Sequence, residues 1–93
     1  MTAETKVVAS DRVIFTPLVD GTGVLLDLDS KFYFTLNQTG VFVWKRLSAA
    51  GGATPTELVA GISDTFDVGP EQALTDLNAL LDELVAESLA KRG

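Results

Sequence analysis

An α+β fold is predicted by three features of this sequence. Strand-like runs separated by tight polar turns fill residues 13–36, and helix starts with Asn37, Thr54-Pro55 and Gly69-Pro70 follow in the remainder. The order reads as a three-stranded antiparallel sheet followed by three helices packed on one face of that sheet. A winged-helix-like arrangement fits that order best.

Residues 1–10 carry small and polar side chains without a clear period, and are expected to form a flexible N-terminal segment. Residues 11–93 are expected to form a single domain, since 93 residues leave no room for a second core. Val13-Ile14-Phe15-Thr16 is β-branched and aromatic, as strands prefer, and Pro17 marks an edge or a strand end. Asp20-Gly21-Thr22-Gly23 is a turn, Val24 to Leu28 a second strand, and Asp29-Ser30 the next turn. In the third strand Phe32, Phe34 and Leu36 share the core face, with Tyr33 and Thr35 on the other.

Asn37 is an N-cap, and Val41, Phe42, Trp44 and Leu47 follow at helical spacing until Gly51-Gly52. Thr54-Pro55-Thr56-Glu57 holds a capping box with proline at the first helical position. Leu58, Ile62 and Phe66 form the buried stripe of that helix, which Gly61 weakens by up to about 1 kcal/mol relative to Ala. Gly69-Pro70-Glu71 opens a third helix in the same way. It carries Ala73, Leu74, Leu77, Leu80, Leu81, Leu84 and Val85 on a wide apolar face, part of which exceeds what the sheet covers. Asp76, Asp82, Glu83 and Glu87 lie on its other side, and Lys91 and Arg92 are expected to end it against the helix dipole.

Composition excludes several functions. A net charge of −6 with scattered Lys and Arg disfavours nucleic acid, which calls for clustered cations. The apolar runs fall far short of the roughly 20 residues that a bilayer span needs. With no secretion signal and no cysteine, a cytoplasmic protein that contacts no membrane is expected. No histidine and no cysteine remove the usual triads and the usual zinc and haem ligand sets, so no cofactor and no metal are expected. Asp27 and Asp29 point the same way, but a calcium loop would place an oxygen ligand and a glycine where Lys31 and Phe32 stand. They read as a solvated turn. Gly21 and Gly23 lack the third glycine of a dinucleotide site and do not lead from a strand into a helix.

The run Val24-Leu25-Leu26-Asp27-Leu28, then Tyr33-Phe34, Leu36-Asn37, Thr39-Gly40 and Trp44, resembles the PqqD-like family of small peptide-recognition domains. The Thr54-Pro55 helix start, Phe66-Asp67-Val68, and Asp76 with Leu77, Leu80, Leu81 and Leu84 extend the resemblance over nearly the whole chain after residue 10. It implies a winged-helix-like, non-catalytic peptide chaperone. Such a protein binds the leader of a ribosomally made precursor peptide and presents it to a modifying enzyme, such as a radical SAM enzyme or a leader peptidase. The implied site is the edge Phe32, Tyr33, Phe34 and Thr35 together with Ala73, Asp76, Leu77 and Leu80 of the third helix. The sequence leaves open which flank of that helix faces the cleft. An acidic helix border favours a leader with a basic residue nearby.

Members devoted to pyrroloquinoline quinone synthesis usually carry Leu-Leu-x-Pro-Glu in this hairpin, where Leu25-Leu26-Asp27-Leu28-Asp29 stands here. The chain therefore looks more like the stand-alone recognition elements, including those of lasso-peptide systems. A winged-helix DNA-binding regulator is the alternative of another class, but its recognition helix should present Arg, Lys, Asn or Gln where this third helix presents Asp and Glu. A generic protein-docking module is the other alternative.

Overall fold

A computed structural model describes residues 5–49 and 51–92. The elements are β1 (Val7–Ala9), β2 (Val13–Pro17), β3 (Gly23–Asp27), β4 (Tyr33–Leu36), α1 (Gln38–Leu47), α2 (Pro55–Phe66), α3 (Pro70–Ala86) and β5 (Ala90–Arg92). The expected antiparallel sheet is β2–β3–β4, and the three helices follow it. A second sheet, β1 with β5, joins the two ends of the described chain.

Alternation along the strands divides the first sheet into two faces. Leu25 and Leu36 are buried on the inner face, where Val13, Phe15 and Phe34 pack half-buried against the core. Ile14, Thr16, Tyr33 and Thr35 are exposed on the outer face. Asp27 lies on the inner face and is buried, which corrects its reading as part of a solvated turn. Its carboxylate accepts the Asp29 N–H at 2.9 Å, so the buried group braces the turn it precedes. Asp29 is the solvated member and pairs with Arg12 at 2.7 Å, an exposed contact worth little to stability.

The helices start as their caps dictate. The Asn37 side chain accepts the Gly40 N–H at 2.8 Å. Behind it Val41, Val43, Trp44 and Leu47 enter the core. Phe42 meets Phe66 of α2 edge to face, with ring centroids 5.8 Å apart. Gly61 makes that approach possible, because a Cβ there would come within 2.7 Å of the Phe42 ring. Its propensity cost is thus offset by close packing of α1 on α2. In α3 the buried stripe is Ala73, Leu77, Leu81 and Leu84, while Leu74 is exposed.

The capping box of α2 is complete. Glu57 Oε1 accepts the Thr54 N–H at 2.9 Å and its hydroxyl at 3.0 Å, and Thr54 Oγ1 accepts the Glu57 N–H at 3.2 Å. The bond from the Thr54 backbone, then that from its hydroxyl, holds the Glu57 carboxyl below its ordinary 4.5. A carboxyl whose folded pKa is depressed stabilises fully above its unfolded pKa, and that contribution is lost as pH falls through the lowered value. Glu57→Gln keeps a capping side chain but removes the titration. Urea midpoints measured from about pH 6 down to about pH 3 are expected to show wild type above the variant at the upper end and a gap that closes at the lower end.

Both ends of the chain depart from the sequence expectation. Val7, within the segment expected to fray, is fully buried and exchanges backbone hydrogen bonds with Ala53 at 2.8 and 3.1 Å. Residues 1–4 of that segment lie outside the described residues. At the other end α3 stops at Ala86 rather than continuing to Lys91 and Arg92. Ser88 is left-handed (φ 61°), its N–H bonds to Val85 O at 3.1 Å, and Leu89 N–H bonds to Leu84 O at 2.8 Å. This Schellman pattern reverses the chain into β5, where Lys91 and Arg92 pair with Val8 and Val7. Gly52 seats β1: it has φ 69°, and a Cβ there would collide with the Val7 carbonyl oxygen. Gly52→Ala is expected to cost about 1–3 kcal/mol in urea unfolding, and an unchanged midpoint would contradict the close approach.

Candidate functional site

The order β2–β3–β4 leaves β4 as an edge strand. Asp27 N–H donates to Phe32 O at 3.0 Å, which fixes the phase of the β3–β4 ladder. With Leu25 opposite Phe34 and Gly23 opposite Leu36, alternation turns the backbone groups of Phe34 and Leu36 toward β3. Those of Tyr33 and Thr35 therefore face the open side. Unpaired N–H and C=O groups along such an edge are a template for another strand.

The open edge borders a groove of about 680 Å³ between the β4–α1 junction and α3. Tyr33, Phe34, Thr35 and Leu36 line one wall, and Asn37, Thr39, Gly40 and Val43 continue it. Asp76, Leu77, Ala79, Leu80 and Glu83 form the other. Leu77 is 1% exposed and makes an apolar floor, Leu80 is half-buried beside it, and Asp76 and Glu83 are exposed on the border. Gln72 Nε2 donates to Asp76 Oδ1 at 2.9 Å, one turn away. The flank of α3 that faces the groove is thus the stripe Asp76, Ala79, Leu80 and Glu83, at helical i, i+3, i+4 and i+7 spacing.

Six of the eight residues singled out from sequence line this groove: Tyr33, Phe34, Thr35, Asp76, Leu77 and Leu80. Phe32 stands just before β4, half exposed, with its ring 6.4 Å from that of Phe34. Ala73 is fully buried on the core stripe with Leu77 and Leu81, one turn before Leu77, and does not line the groove. Sequence reasoning missed the contribution of α1. Thr39 and Val43, four residues apart, share the groove side of that helix, a spacing legible once the flank is known.

A somewhat larger concavity, about 760 Å³, lies between β1, β5 and the end of α3. Its strands are three residues long, so it offers no comparable strand edge. Among the described residues no cluster of three or more Asp, Glu, His or Cys side chains is arranged to hold a metal ion, and no helix is long and apolar enough to cross a membrane.

Two solved structures share this architecture. One is TbiB1 in complex with the TbiA(beta) leader peptide, 30% identical with a TM-score of 0.76, the match covering 90% of this chain and 94% of that one. The other is a lasso peptide synthetase B1 complexed with the leader peptide, 23% identical with a TM-score of 0.76, covering 92% and 98%, a likeness of fold. No curated protein matches the sequence. The model of coenzyme PQQ synthesis protein D (PqqD) matches residues 22–90, which hold β3, β4, all three helices and every residue lining the groove. This chain belongs to the PqqD family.

Proposed function

We propose that this protein grips the leader of a ribosomally synthesised precursor peptide as an added strand on β4 and presents it to a modifying enzyme. The observation that carries this reading is the open Tyr33–Thr35 edge running beside an apolar-floored groove. Backbone pairing supplies affinity that is indifferent to leader sequence, and the groove selects side chains. Alternate leader residues would drop onto Phe34, Leu77 and Leu80, and a leader Lys or Arg would lie over Asp76 and Glu83. The likeness to TbiB1, itself a leader-peptide complex, supports the reading.

The role is non-catalytic. The chain has no histidine and no cysteine, and the groove border offers two carboxylates to charge pairing rather than to a nucleophile and base. Chemistry belongs to the partner, a radical SAM enzyme or a leader peptidase. Calorimetric titration with the leader segment of a precursor from the same organism tests the proposal. Saturable binding at one leader per chain is expected, and a folded protein that binds none of the organism's candidate leaders would sink it.

A further inference from the structure

α3 has a second functional flank. On the side away from the groove, α2 and α3 border an open apolar pocket of about 420 Å³ lined by Pro55, Thr56, Val59, Ala60, Ser63, Pro70 and Leu74. Leu74 is 46% exposed, a large apolar side chain left about half in solvent among the described residues. Ser63 Oγ is buried in the wall and has no hydrogen-bond partner among the described residues. A leader lying against Asp76, Leu80 and Glu83 would leave this pocket free, because Leu74 projects from the opposite side of the same helix.

Charge identifies what fits it. The stretch from Ala53 to Ala90 holds eight of the chain's thirteen carboxylates and none of its seven Lys and Arg residues. Asp64 adjoins Ser63, Asp67 sits in the α2–α3 connection, and Glu71 adjoins Pro70, all exposed. An apolar pocket whose charged neighbours along α2, the connection and α3 are carboxylates favours a partner that offers an apolar side chain flanked by cations. A second copy of this chain would bring like charges to those carboxylates.

We propose that the α2–α3 pocket is where the peptide-modifying enzyme docks, through a segment that places an apolar side chain against Leu74 and Val59 between Lys or Arg residues. This rests on the presenting role proposed above and assigns it a second surface. Leader and enzyme then occupy opposite flanks of α3 at once, which is what presentation requires.

The test uses the full chain, a purified candidate peptide-modifying enzyme from the same organism, and the leader, titrated separately. Leu74→Arg and Ala60→Arg, both at exposed positions, are expected to weaken enzyme binding at least tenfold while leader affinity stays within about twofold. Leu74→Glu is expected to weaken it less than Leu74→Arg, since the partner is basic, and added salt is expected to weaken the wild-type complex. The inference is overturned if both arginine variants bind the enzyme within twofold of wild type, if wild type takes the leader but not the enzyme, or if sedimentation shows a wild-type dimer that Leu74→Arg separates, which would give the pocket to a second copy. A wild type that binds the enzyme but no leader overturns instead the reading beneath it.

Discussion

Replacing Thr35 with proline is expected to weaken leader binding by about 10–100-fold while the domain stays folded. The Thr35 N–H faces the open side of β4, so its loss removes no bond to β3. It removes one donor to the incoming strand and leaves a leader carbonyl without a partner. A made hydrogen bond contributes about 0.5–1.5 kcal/mol net and an unsatisfied buried acceptor costs about 1–3 kcal/mol, which together span that range. Phe34→Pro is the contrasting variant. Its N–H pairs with Leu25, so it is expected to disrupt the sheet itself. Circular dichroism and calorimetry on both variants separate the two effects, and a Thr35→Pro protein that binds like wild type would contradict edge pairing.

The second large effect is at the groove floor. Leu77→Ala is expected to lower stability by about 2–5 kcal/mol, because the side chain is 1% exposed and packs among the core residues of α3. In a chain of this size each kcal/mol shifts the melting temperature by about 4–8 °C, so a fall of at least about 8 °C is expected. Lost leader binding in that variant therefore reports on folding as well as on the groove. Leu80→Ala separates them. Leu80 is half-buried in the groove wall, and its truncation is expected to cost binding with a smaller loss of stability. Equal melting temperatures for Leu77→Ala and wild type would remove Leu77 from the core.

The sheet and the helix starts were legible because local chemistry specifies them. Gly21 and Gly23 frame one turn and Asp29-Ser30 the other, and the Asn37 and Thr54 caps mark where helices begin. The β1–β5 sheet was not legible. Its strands are three residues each and pair across nearly the whole chain, so neither carries a periodicity of its own. The end of α3 was misread for a related reason: Ser88, not the customary glycine, takes the left-handed position that turns Leu89 into the core.

The site was legible as an edge strand and a helix, but not as a flank. The apolar residues of α3 spread widely enough that Ala73, Leu74 and Leu80 all read as candidates for one face. Packing separates them: Ala73 goes to the core, Leu80 to the groove and Leu74 to the apolar pocket behind it. Asp27 shows the same limit, since its partner is a backbone N–H two residues ahead and nothing in its spacing announces burial.

Strand addition on β4 makes an alternating prediction that amide hydrogen exchange resolves residue by residue. Without leader, the Phe34 and Leu36 amides are expected to be protected by their bonds to β3, and those of Tyr33 and Thr35 to exchange fast. With saturating leader, Tyr33 and Thr35 are expected to become protected, together with shifts at Ala79 and Leu80. Saturable binding that leaves the Tyr33 and Thr35 amides in fast exchange would contradict the added strand.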